Sequence, residues 1–173
     1  MRMPALNMLS PLLALCVLAG CASSPPQPAA ALEFVLVRHA EKADDDPRDP
    51  NLSAAGHERA QRLAASLAHD PLQAAYATAY KRTRQTAEPS ARAHGLAVSG
   101  YDAKLPAAEF AARLRREHAR GRVLVVGHSN TVPEIAAALC ACKVAPMAEG
   151  EFDRRLSITF DRAGQARLGE SRY

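Results

Sequence analysis

A three-layer α/β/α sandwich with a mostly parallel central sheet is the fold this sequence predicts, on three observations. Two short runs, residues 33–38 (EFVLVR) and 122–127 (RVLVVG), have unbroken apolar, valine-rich interiors, as strands buried on both faces do. Stretches with apolar residues at helical spacing separate the strand candidates, the pattern of helices covering both faces of a parallel sheet. The 173 residues, 48% hydrophobic and 23% charged, are enough for one domain with a real core and too few for two comfortable ones.

The elements follow in order. Residues 33–38 form a strand whose lack of alternation places it centrally. The segment KADDDPRDPN after it is a polar loop without the ligand spacing of a calcium loop, and its aspartates read as solvated surface. Ser53 is an N-cap, and Ala60, Leu63, Ala64 and Leu67 recur at helical spacing to about His69. Residues 72–78 (LQAAYAT) are a short strand, residues 80–94 a second helix stopped by Gly95, and residues 96–101 another strand. Pro106 opens a helix whose arginine-rich outer face runs through Arg120. Residues 122–127 are the second fully apolar strand. Thr131-Val132-Pro133-Glu134 then looks like a capping box, with proline in the first turn of a helix reaching Cys140. The tail, residues 154–170, alternates about a glycine turn as a terminal hairpin does.

The N-terminal residues are set apart from the fold. Arg2 is followed by an apolar run, residues 9–19, too short to span a bilayer, and then by Leu18-Ala19-Gly20-Cys21. That tetrapeptide resembles the bacterial lipoprotein box, which implies a signal peptide over residues 1–20 and an acylated Cys21 that anchors the chain to a membrane. Ala22, which is not an aspartate, fits outer-membrane export facing the periplasm. Residues 21–31 are a Pro/Ser/Ala-rich tether, and residues 32–173 are the folded domain. Cys140 and Cys142, two residues apart, are poor geometry for a mutual disulfide and read as buried small residues at a helix end, with a strained redox pair as the alternative. The net charge of +4 is spread among interleaved acids, so no nucleic-acid patch is indicated.

Both apolar strands end in chemistry. The first delivers Arg38-His39, and the second delivers Gly127-His128-Ser129-Asn130 just before a helix. In an open parallel sheet ligands bind at the carboxyl ends of strands, and a helix N-terminus there supplies N–H groups and a positive dipole end. Arg82, in the first turn of the helix after another strand, adds a guanidinium whose planar fork suits phosphate. Two arginines and two histidines around one crevice describe a phosphate pocket.

These residues carry a resemblance. LVRHAEK, LSAAGHERA (residues 52–60), KRTRQTA and VLVVGHSN are similar, in the same order, to four motifs of the histidine phosphatase superfamily, the phosphoglycerate mutase-like fold. The resemblance implies that His39 takes the phosphoryl group as a phosphohistidine. It also implies that Arg38 and Arg82 hold the non-bridging oxygens and that His128 donates to the phosphoryl group from another side, with no metal or other cofactor required. Many relatives place a carboxylic acid between the second arginine and the second histidine. Here Asp102, after a short strand, is favoured over Glu109, which sits in a helix's first turn.

The resemblance is to small members without a substrate cap, including the phosphohistidine phosphatase type, and implies an open pocket and a small phosphorylated substrate. The expected function is an exported, lipid-anchored phosphatase acting on phosphomonoesters. The alternatives are a mutase or phosphotransferase, a phosphohistidine phosphatase, and a non-catalytic phospho-ligand-binding envelope lipoprotein. Arg84, His57, His69, His94 and His118 read as surface or helix-end residues. Glu41 and Lys42 either orient the nucleophile or form a local ion pair.

Overall fold

The computed structural model describes residues 31–69 and 71–173; the expected signal peptide, Cys21 and all of the expected tether but Ala31 lie outside them. Six strands form one sheet: β1 (Leu32–Arg38), β2 (Leu72–Thr78), β3 (Val98–Tyr101), β4 (Gly121–Gly127), β5 (Arg154–Phe160) and β6 (Ala166–Arg172). Their spatial order is β3-β2-β4-β1-β5-β6. The β3–β2, β2–β4 and β4–β1 pairs are parallel, and the β1–β5 and β5–β6 pairs antiparallel. Helices α1 (Ala54–Leu67), α2 (Lys81–Ala93), α3 (Ala107–Glu117) and α4 (Thr131–Cys140) complete the three layers.

The unbroken apolar runs follow from having two cores. Phe34, Leu36, Val123 and Val125 point to one face, packing with Phe110 and Leu114 of α3 and Ile135 and Leu139 of α4. Val35, Val37, Leu124 and Val126 point to the other, with Leu63 and Leu67 of α1 and Ala87 and Ala91 of α2. Each fully buried aliphatic side chain contributes about 1.5–3 kcal/mol, so neither strand can expose a face cheaply. Both lie mid-sheet. In β5, where burial strictly alternates, the sequence alternates too.

Several expectations are corrected. The capping box does not form: α4 has Asn130 at its N-cap with no side-chain bond, and Thr131 Oγ1 instead accepts the backbone N–H of His128 at 3.0 Å. Helix α3 stops at Glu117 rather than reaching Arg120, because His118 turns extended (φ −127°, ψ 121°) and its Nε2 lies 2.9 Å from the Tyr76 hydroxyl on β2. The third strand begins at Val98, two residues late. Cys140 and Cys142 are joined in a disulfide, and Cys142 is exposed rather than buried. Spacing alone argues against such a pair, but Ala141 between them adopts a left-handed conformation (φ 51°) that turns the chain at the helix end and brings the two Cα atoms to 5.1 Å.

Candidate active site

The parallel register of β1 and β4 builds the site. Arg38 pairs with Gly127, so the residues that follow, His39 and His128, leave two adjacent strands at the same level. The His39 N–H donates to Gly127 O at 2.9 Å, which extends the ladder by one residue. The two imidazole rings stand 5.5 Å apart, inclined by 66°. Gly127 has no room for a side chain: a Cβ there would lie 2.7 Å from the Tyr101 hydroxyl and 2.8 Å from Thr131 Oγ1.

His39 is 5% exposed, and its Nδ1 lies 2.8 Å from Ala40 O. A carbonyl only accepts, so Nδ1 carries the proton and Nε2 keeps its lone pair. Burial, with Arg82, Arg38 and His128 nearby, pushes the imidazole pKa down to about 3, against the opposing pull of the Ala40 carbonyl. The ring is therefore neutral at physiological pH, with a free nitrogen in a cationic setting. The Ala40 N–H donates to Thr86 Oγ1 at 3.0 Å, tying the segment after the strand to α2.

Arg38 is held from the far side. Its Nη1 donates to Ala148 O at 3.0 Å and to Glu149 O, and the Phe152 ring lies 4.4 Å from its guanidinium carbon. Its Nε is buried without a partner among the described residues, a donor that an oxyanion would satisfy. Arg82 mirrors this arrangement: its guanidinium lies 4.4 Å from the Tyr80 ring, and Asp49 stands 3.9 Å away. Tyr80 in turn meets the His128 ring edge-on at 5.3 Å. Each arginine–histidine pair thus has one aromatic ring against it. Burial first, then Arg82 and Arg38, lowers the His128 pKa to about 4.

Arg38, His39 and Arg82 line a cavity of about 390 Å³, a size that admits a small organic phosphate. Its other wall is the polar segment after β1, contributing Lys42, Asp44 and Arg48 among others. That segment is an ordered wall rather than only solvated surface. Asp46 Oδ1 accepts the N–H groups of Arg48 and Asp49, Ala43 N–H donates to Asn51 O, and Gln85 bonds both Leu52 N–H (2.8 Å) and Asn51 Oδ1 (2.7 Å). Glu41 does not face the nucleophile: it takes a bidentate ion pair from Arg59 and so binds α1 to the strand end.

Sequence reasoning weighed Lys42, which lines the cavity, but missed Arg48, Phe152, Tyr80 and the carbonyls of Ala148 and Glu149. The polar run of residues 42–50 gives no sign of which way the loop folds, and a carbonyl contact has no side-chain signature. The threonines and glutamine of KRTRQTA were available as a signal, since polar residues interleaved in a helix's first two turns need partners.

Asp102 is not brought into the cavity. It is exposed at the end of the edge strand β3, and its Oδ1 accepts the Lys104 N–H at 2.9 Å. Glu109 is also exposed, on α3. The acids lining the cavity are Asp44 and Asp46. His57, His69 and Arg84 are exposed and His94 partly so. His118 is half-buried at its helix end, set edge-on to Phe34 and Tyr76. Among the described residues no group of three or more His, Cys, Asp or Glu is placed to hold a metal ion, and no helix is long and apolar enough to cross a membrane.

The family model of the histidine phosphatase superfamily, branch 1, matches residues 34–105. No curated protein matches the sequence. Among solved structures the chain is similar to the protein histidine phosphatase SixA complexed with tungstate (21% identity, TM-score 0.64, covering 81% of this chain and 96% of that one). It is also similar to phosphoserine phosphatase in complex with 3-phosphoglyceric acid from Entamoeba histolytica (14%, TM-score 0.62, 82% and 97%). A mycobacterial glucosyl-3-phosphoglycerate phosphatase aligns comparably (17%, TM-score 0.60, 83% and 99%). The α/β sandwich described above is therefore similar to the folds of these phosphatases, and the family model's match lies over residues 34–105, which hold Arg38, His39 and Arg82.

Proposed function

We propose that this protein is an exported, lipid-anchored phosphatase that hydrolyses phosphomonoesters through a phosphohistidine at His39. The observation that carries the reading is the state of His39: neutral, its Nδ1–H fixed on Ala40 O, its Nε2 lone pair free beside the guanidinium groups of Arg38 and Arg82. Nε2 attacks phosphorus while the ester oxygen departs, and Arg38 and Arg82 hold the non-bridging oxygens throughout. Water then attacks the phosphohistidine, releasing phosphate and restoring the imidazole. Such a reaction rests on positioning and charge stabilisation by groups fixed in advance, and these are fixed by carbonyls, rings and the strand ends.

The position of Asp102 favours a second reading, a phosphohistidine phosphatase. A departing imidazole needs less help from a proton donor than an alkoxide does, and the donor expected from the sequence, Asp102, does not line the cavity.

The test uses the full-length chain in detergent with p-nitrophenyl phosphate, an alkyl phosphate and phosphohistidine in excess chelator. His39→Ala is expected to abolish turnover of every substrate, at least 10³-fold, and an acid-labile phosphoenzyme is expected in the parent alone. Turnover that survives His39→Ala and disappears with chelator would overturn the proposal. Preference for phosphohistidine over the alkyl phosphate selects the second reading.

A further inference from the structure

His128 reaches the site with one ring nitrogen already engaged. Its Nε2 lies 3.0 Å from Thr78 Oγ1 at the end of β2, and Thr78 Oγ1 lies 2.8 Å from Thr83 Oγ1 in the first turn of α2. Thr83 Oγ1 is also 2.7 Å from Tyr80 O and 3.1 Å from Thr78 O. Both threonines are fully buried. Nδ1 is the ring nitrogen left for a ligand.

A neutral imidazole has one N–H, so its location decides whether Nδ1 repels or binds an anion. The hydroxyls allow two self-consistent directions. In one, Nε2–H donates to Thr78, Thr78 to Thr83, and Thr83 to Tyr80 O, leaving a lone pair on Nδ1. In the other, Thr83 donates to Thr78 and Thr78 to Nε2, leaving the ring proton on Nδ1 as a donor. The second direction does not orphan the Tyr80 carbonyl, which keeps the Arg84 N–H at 3.1 Å. Net charge and proton count are equal in the two, so an anion selects between them without net protonation. Ring protons exchange with water while the cavity is empty.

We propose that Thr78 and Thr83 are positioning residues, a reversible hydroxyl chain that lets neutral His128 present Nδ1–H to a bound phosphoryl oxygen. This rests on the reading of the cavity as a phosphoryl site and assigns a role to residues the proposed mechanism does not otherwise use. The companion contact, Thr131 Oγ1 accepting the His128 N–H, fixes the backbone and leaves the ring's tautomer to the threonines.

The experiment is ¹⁵N NMR of the histidine-labelled full-length chain in detergent, with orthovanadate as the probe and His128→Gln to assign the signals. Vanadate is expected to bring His128 to the Nδ1–H form with Nε2 unprotonated. In Thr78→Val that response is expected to vanish, vanadate affinity to fall about tenfold and kcat to fall more than KM changes, with Thr78→Ser restoring all three. Thr83→Val removes only the second hydroxyl and is expected to act in the same direction, which keeps the idea testable if Thr78→Val folds poorly. An unaltered tautomer response in both valine variants, or Nε2–H in the vanadate complex, would sink the proposal. A parent chain that gives the Nδ1–H response to vanadate yet hydrolyses nothing would remove the phosphatase reading and leave this one standing.

Discussion

At the scale of the residue, the site depends on histidines kept uncharged among arginines. His39 and His128 have folded pKa values of about 3 and about 4, against 6.5 when free. The unfolded chain therefore binds more protons than the folded one below pH 6.5, and stability falls as pH drops through that window. Each histidine withdraws about 1.4 kcal/mol per pH unit, until pH reaches about 4 for His128 and about 3 for His39. Urea unfolding from pH 7 to pH 4 should show this loss, and a His39→Gln, His128→Gln double variant should lose distinctly less over the same range. Equal losses in parent and variant would place the sensitivity elsewhere. The roles in KRTRQTA are just as local: Arg82 lines the cavity, Thr83 begins the hydroxyl chain, Gln85 holds the wall, Thr86 holds Ala40, and Ala87 fills the core.

At the scale of the element, the segment following His39 is clamped between helices, and close approach makes the clamp. A Cβ on Gly56 would lie 2.1 Å from Glu41 O, a backbone atom that cannot swing aside. Gly56→Ala is expected to push α1 off the segment bearing His39 and to destabilise the fold by about 2–3 kcal/mol, read as a lower urea midpoint with unchanged slope. An unshifted midpoint would show that α1 does not bear on the site. The helices themselves were legible in the sequence, because Ser53 caps α1 through the Gly56 N–H and Gly95 (φ 68°) ends α2. The capping-box expectation for α4 failed for a physical reason. The same hydroxyl had a competing donor in the backbone of His128, and a four-residue pattern cannot register a partner supplied by the residue that follows β4.

At the scale of the molecule, β1 separates the start of the described fold from the cavity. Leu32 opens this strand and His39 follows its last residue, so the two ends lie roughly 20 Å apart at about 3.3 Å per residue. Cys21, which precedes β1 in the chain, is the proposed lipid attachment. Cys21→Ser is expected to abolish acyl labelling and release the protein from membranes, while kcat/KM for a small aryl phosphate stays within twofold of the parent. Persistent labelling would remove the anchor, and a large loss of activity would show that the leaflet contributes to the site.

The sequence by itself determined the order of strands and helices and the placing of Arg38, His39, Arg82 and His128 at element ends, because apolar periodicity, caps and strand-end position are local properties. Only the tertiary structure decided what joins those residues and what does not. The parallel register sets His39 beside His128, the segment 148–152 comes back to grip Arg38, and residues 42–50 turn inward as a wall. Asp102 is left outside because its strand lies at the sheet's edge, three places from β1. Those outcomes depend on which strands pair and where a loop finds its backbone partners, and no single stretch of chain contains either.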